Sequence, residues 1–225
     1  MDIKGFKVNF LGDSITEGVG VTDVVNNRYH ARLKALCQLS AVTHYGVSGT
    51  RIAHQIHASE TPRFDLCFCG RVYNMDTSAD MVVVYGGVND YIHGDAPFGQ
   101  IGDTTPATFC GGVYFLMNYL KENYAGKPVI FMTPARMFLR HEVDDQYPST
   151  HARKTVEGKA LCAYVDVIIE TGKQFGIPVL DLYRTLGLDP HDEEVFQTYT
   201  VDGLHFNDAG HAVLAQRLKE FIEAL

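Results

Sequence analysis

An α/β domain is what this chain predicts, a three-layer α/β/α sandwich around a mainly parallel five-stranded sheet spanning residues 1–225. Three observations carry that expectation. Short apolar runs alternate with segments of helical spacing along the whole chain. The runs are apolar at consecutive positions, as in Met81-Val82-Val83-Val84-Tyr85, which suits strands covered on both faces. Glycine-rich turns follow the first three of them, at the strand ends where such sheets place their ligands.

The strands are expected at Lys7 to Leu11, Ala41 to Val47, Met81 to Tyr85, Val129 to Thr133 and Ile177 to Tyr183. Between the first two, Tyr29, Leu33, Leu36 and Cys37 recur at helical spacing. A longer stripe follows the third strand at Phe109, Val113, Leu116, Met117, Leu120 and Tyr124, and Gly126 before Pro128 stops it. After the fourth strand come Leu161, Tyr164, Val165, Ile168 and Ile169, with Gly176 before Pro178 as the stop. Asn207-Asp208 would cap a last helix carrying Leu214, Leu218, Phe221, Ile222 and Leu225. Loops near Tyr91 to Thr108, Arg136 to Arg153 and Arg184 to Val201 would wall a pocket on the same edge. The stretch Ala53 to Asp80, with Arg63, Phe64, Cys67 and Arg71, reads as a helix or loop that could shape it.

A formal net charge of −8 opposes attraction to phosphate backbones and anionic membranes, so neither nucleic acid nor membrane insertion is expected. Met1 to Lys7 leads into the first strand without an apolar leader, which makes the expected location cytoplasmic. The five cysteines, Cys37, Cys67, Cys69, Cys110 and Cys162, are odd in number and irregularly spaced, and read as reduced thiols.

Two motifs at opposite ends carry the chemistry. Gly12-Asp13-Ser14 leaves the first strand, and Asp202-Gly203-Leu204-His205 lies ahead of the last helix. A serine hydroxyl is a weak nucleophile until a base takes its proton and a third group holds the base's tautomer. Three residues of spacing let Asp202 fold back onto one imidazole nitrogen of His205 while the other faces Ser14. Acyl transfer also needs donors fixed around the developing oxyanion, and Gly49 and Asn89, after the second and third strands, are candidates. Each has a plainer explanation: Asp13-Ser14 as a helix cap, Gly49 as a turn, Asn89 as a cap after the third strand, Asp202 and His205 as surface residues. The stretch through Gly18 and Gly20 lacks either phosphate-loop pattern. His211, six beyond His205, has no cysteine or carboxylate cluster beside it to make a metal site, so no metal or cofactor is expected.

In order, Gly12-Asp13-Ser14, Val47-Ser48-Gly49-Thr50, Gly87-Val88-Asn89-Asp90 and Asp202-Gly203-Leu204-His205 resemble the four blocks of the GDSL or SGNH hydrolases. The blocks span nearly the whole chain, with Ile15 where the family name has leucine. The resemblance implies a flavodoxin-like sandwich, Ser14 as nucleophile, His205 as base and Asp202 as its orienter. It also implies an oxyanion hole made by the Ser14 backbone N–H, Gly49 and Asn89. The activity implied is a serine esterase acting on short acyl esters, with acetyl groups on carbohydrates as the expected substrate; Tyr91, His93, Phe98 and Tyr147 in the expected loops are candidate sugar-facing groups, with packing within the loops an equal alternative. A lysophospholipase or thioesterase of the same fold is the alternative enzyme, and a non-catalytic binding module the alternative of another class. The sequence does not specify an oligomeric state.

Overall fold

A computed structural model describes residues 1–138 and 159–225. Five strands, β1 (Lys7–Gly12), β2 (Ala41–Gly46), β3 (Met81–Tyr85), β4 (Val129–Met132) and β5 (Val179–Leu180), form one sheet in the order β2-β1-β3-β4-β5. Every pair is parallel, with Gly12 opposite both Gly46 and Tyr85 at the C-terminal edge. The chain runs outward from β1 to β2, then returns across β1 to continue at β3. The crossovers therefore diverge between β1 and β3, leaving a crevice at that edge.

Alternation within strands sorts the core into two layers. Leu11, Val82 and Val84 face one side, where α5 (Phe109–Asn123) and α6 (Leu161–Phe175) bury Phe109, Val113, Leu116, Leu120, Tyr164 and Ile168. Phe10, Val83 and Tyr85 face the other, against α2 (Tyr29–Leu36) and α9 (Asp208–Ala224), which bring Tyr29, Leu33, Leu214 and Leu218. The shorter helices are α1 (Ser14–Glu17), α3 (Phe68–Arg71), α4 (Val88–His93), α7 (Leu182–Thr185) and α8 (Glu193–Tyr199). Gly176, at φ 62°, closes α6 in the left-handed conformation that glycine adopts without strain. Asn207 caps α9 by accepting from the Ala209 and Gly210 amides, as its sequence suggests.

Two expectations need correction. The last strand is two residues long rather than seven, because Asp181 turns its side chain onto the Arg184 amide and starts α7. Leu36, read as part of a buried stripe, is exposed at the end of α2. The stretch Ala53 to Asp80 is mostly irregular, holding α3 and two single turns of 3₁₀ helix. Among the described residues, no helix is long and apolar enough to cross a membrane.

Candidate active site

Ser14 is the first residue of α1, directly beyond β1, and is 5% exposed. The first amides of a helix have no intrahelical acceptor, so the turn aims N–H groups at the crevice. Asp13 occupies one of them, accepting from Ile15 N at 3.0 Å. The capping explanation of this motif is thus correct for Asp13, and it frees Ser14 to point its hydroxyl elsewhere. Burial pushes the Asp13 carboxyl up to about 6, against the opposing pull of the Ile15 amide and of His205 and Arg71.

Ser14 Oγ lies 2.9 Å from Nε2 of His205, 191 residues away in sequence. On the other side of the ring, Nδ1 is 2.6 Å from Asp202 Oδ2. The second oxygen of Asp202 accepts from the backbone amides of Leu204 at 2.9 Å and His205 at 2.7 Å. Burial alone would raise the Asp202 carboxyl, but the His205 hydrogen bond and charge and these two amides hold it below its ordinary value. An ionised Asp202 must receive a proton from Nδ1, which leaves the Nε2 lone pair facing the Ser14 hydroxyl. The turn is closed from behind by Gly203, at φ 85°, whose N–H donates to Thr200 Oγ1 and whose carbonyl accepts from Phe138 N.

Gly49 and Asn89 are brought together through Thr50. Asn89 Nδ2 donates to the Thr50 carbonyl at 3.1 Å, and Asn89 Oδ1 lies 3.0 Å from His93 Nε2. Asn89 is the second residue of α4 and does not cap it, since Gly87 holds the cap position. Gly49, at φ 75°, is more than a turn: a Cβ there would collide with the ring of Phe64.

The segment of open role lies on this edge. Arg71 is half-buried, donating to the carbonyls of Gly12 and Tyr45 and to Thr50 Oγ1, and so ties the ends of β1 and β2 to the Gly49 turn. Arg63 pairs with Glu17 at 2.8 Å, while Glu17 accepts from the amide and hydroxyl of Ser48. Burial would lift the Glu17 carboxyl, yet Ser48 and Arg63 hold it below the usual range. Arg51, a buried cation that no sequence motif singles out, reaches His93 Nδ1 at 3.1 Å. Only the fold puts it beside Asn89.

Of the two readings of the loop aromatics, packing accounts for Tyr91 and Phe98. Tyr91 meets Tyr164 edge-on with ring centres 5.7 Å apart, and Phe98 packs on Tyr164 and Phe109. Tyr91 and Phe98 pack against the core while partly buried, and His93 is hydrogen-bonded to Asn89. Asp95 accepts from the backbone amides of Ile56 and His57 in the stretch after Ala53, and Asp103 from that of Gln100 in its own loop. Tyr147, and most of the loop Arg136 to Arg153, fall outside the described residues. His211 is buried under α2, accepting from Tyr29 N at 3.0 Å through Nδ1, far from a ligand role with His205. Among the described residues, no group of three or more histidine, cysteine or carboxylate side chains is placed to hold a metal. None of the five cysteines is part of a disulfide.

The sequence profile of the family described as GDSL-like Lipase/Acylhydrolase matches residues 10–213. No curated protein matches the chain. Among solved structures, a protein from Lactobacillus plantarum is 30% identical, with a TM-score of 0.82 over 99% of this chain and 98% of that one. A lipase/acylhydrolase from Enterococcus faecalis, 22% identical, superposes with a TM-score of 0.61 over 97% and 96%. A catalytic mutant of an acetylxylan esterase from Geobacillus stearothermophilus, 19% identical, gives 0.61 over 99% and 96%. The last two show a shared fold.

Proposed function

Because the chain belongs to the GDSL-like lipase/acylhydrolase family, we propose that it is a serine esterase that hydrolyses short acyl esters through an acyl-enzyme on Ser14. The observation that carries this reading is the unbroken hydrogen-bond chain from Asp202 through His205 to Ser14. His205 Nε2 takes the hydroxyl proton as Ser14 Oγ attacks the ester carbonyl, and later returns it to the leaving alcohol. Asp202 stays ionised and stabilises the imidazolium formed in between. The Ser14 backbone N–H, the Gly49 N–H and the Asn89 amide receive the oxyanion. Water then repeats the sequence with His205 as its base.

A short acyl group is favoured by the Phe64 ring, which sits against Gly49 and closes that side of the proposed oxyanion hole. An acetylated carbohydrate is the substrate class we assign. The fold-level likeness to an acetylxylan esterase supports it.

The test is labelling and turnover together. The wild type reacts with a fluorophosphonate probe and hydrolyses p-nitrophenyl acetate, while Ser14→Ala is unlabelled and slower by several orders of magnitude, with an unchanged circular dichroism spectrum. An unlabelled wild type would make this a binding module. A rate that climbs toward dodecanoyl esters would make it a lysophospholipase or thioesterase.

A further inference from the structure

We propose that His93, oriented by Arg51, is a positioning residue that fixes which end of the Asn89 amide faces the reacting carbonyl. This rests on the reading of Asn89 as an oxyanion donor. A primary amide turned by 180° fits the same space, yet it presents a carbonyl oxygen in place of an N–H and would repel the oxyanion. The orientation must therefore come from the neighbours.

Arg51 supplies the first link. A guanidinium donates and cannot accept, so with Nη1 3.1 Å from His93 Nδ1, that ring nitrogen must be the acceptor. A neutral imidazole then carries its proton on Nε2. That atom lies 3.0 Å from Asn89 Oδ1, so the oxygen end of the amide is held toward His93. The Thr50 carbonyl reinforces the choice by accepting from Nδ2 at 3.1 Å. One of the two Nδ2 hydrogens is used there, and the other is the one a substrate oxygen can receive. His93 is four residues from Asn89 along α4, so the two side chains share a face.

Arg51 is itself held. It is 3% exposed, and its other nitrogen donates to Ser59 Oγ at 3.0 Å and pairs with Asp65 Oδ1 at 3.2 Å. Asp65 is fixed in turn by the amide and hydroxyl of Ser59. The ring of Phe64, one residue earlier, lies 5.5 Å from that of His93. The irregular stretch after Ala53 thus reaches the chemistry through Arg51. Both ring nitrogens of His93 have these assignments, which marks it as a part that orients rather than a second base.

Steady-state kinetics on p-nitrophenyl acetate test the relay. His93→Ala lowers kcat about tenfold, part of the 10²–10³ that a complete oxyanion donor contributes, and leaves KM within about twofold. His93→Gln, whose Nε2 can donate to Asn89 Oδ1, recovers most of the loss. In an Asn89→Ala background, His93→Ala costs nothing further, because the group it orients is gone. If His93→Ala does not fold, His93→Phe keeps the ring against Phe64 while deleting both nitrogens, and the same losses are expected. An equal loss in both backgrounds, or an effect mainly on KM, overturns the relay. Wild-type kcat in the His93 variants alone, with Asn89→Ala impaired, overturns it too and leaves the oxyanion reading standing. Wild-type kcat in Asn89→Ala overturns the oxyanion reading and the relay with it.

Discussion

Replacing Asp13 by Asn should stabilise the protein at neutral pH and leave it nearly unchanged in acid. The carboxyl is 1% exposed and burial lifts it from an ordinary 3.8 to about 6. Its folded value lies above its unfolded one, so the folded chain binds the proton more tightly. Stability contributed by this group is complete below about 3.8 and is lost as pH rises to about 6. The gap between those values corresponds to about 3 kcal/mol. Asn keeps the oxygen that accepts from Ile15 N, so the start of α1 is preserved while the buried charge goes. The influence of Arg71 and His205 is already contained in the value of about 6, and every other titrating group is common to both proteins. Urea denaturation at pH 4 and pH 8 measures the effect. The variant should gain about 2 kcal/mol on the wild type between those two pH values, because the unfolded carboxyl is already partly ionised at pH 4. A difference independent of pH, or one that favours the wild type more as pH rises, would refute a carboxylate held against its preference.

Asp202→Asn keeps the shape of the turn but reverses the hydrogen-bond demand on His205 Nδ1, and kcat should fall by about 10⁴ with binding of a substrate analogue retained. Activity within about tenfold of wild type would remove Asp202 from the mechanism. Gly49→Ala brings a Cβ against the Phe64 ring at a φ of 75°, so it should lower both melting temperature and kcat. Adding Phe64→Ala should restore part of the stability, and no recovery would place the strain elsewhere. Burial lowers the His211 ring to about 4, so its contribution to stability is complete above about 6.5 and is lost as pH falls toward 4. His211→Asn, which retains an acceptor for Tyr29 N, should therefore lose about 3 kcal/mol less than the wild type on acidification through that range, read by denaturation at pH 7 and pH 4.

The apolar strands and helical stripes were legible because burial leaves a period in the sequence. Val82 to Val84 read as a covered strand for the reason that they are one: neither face meets water. The end of β5 was not legible, since Ile177 to Tyr183 stays apolar while a side-chain cap at Asp181 overrides the run. Aromatic residues in loops left two destinations open. Tyr91 and Phe98 look like ligand contacts in a polar stretch, and only the position of Tyr164 on α6 shows that they pack.

By itself the sequence determined the layers, the glycine-marked ends of the first three strands and the four motifs with Ser14, Gly49, Asn89, Asp202 and His205, because hydrophobic period and turn chemistry are local properties. Tertiary structure decided which of these groups meet. It set the 2.9 Å contact across 191 residues between Ser14 and His205, and it brought Arg51, His93 and Phe64 onto the same edge. Sequence spacing carries no signal for such contacts, since the sheet order that creates them is fixed by packing among distant segments.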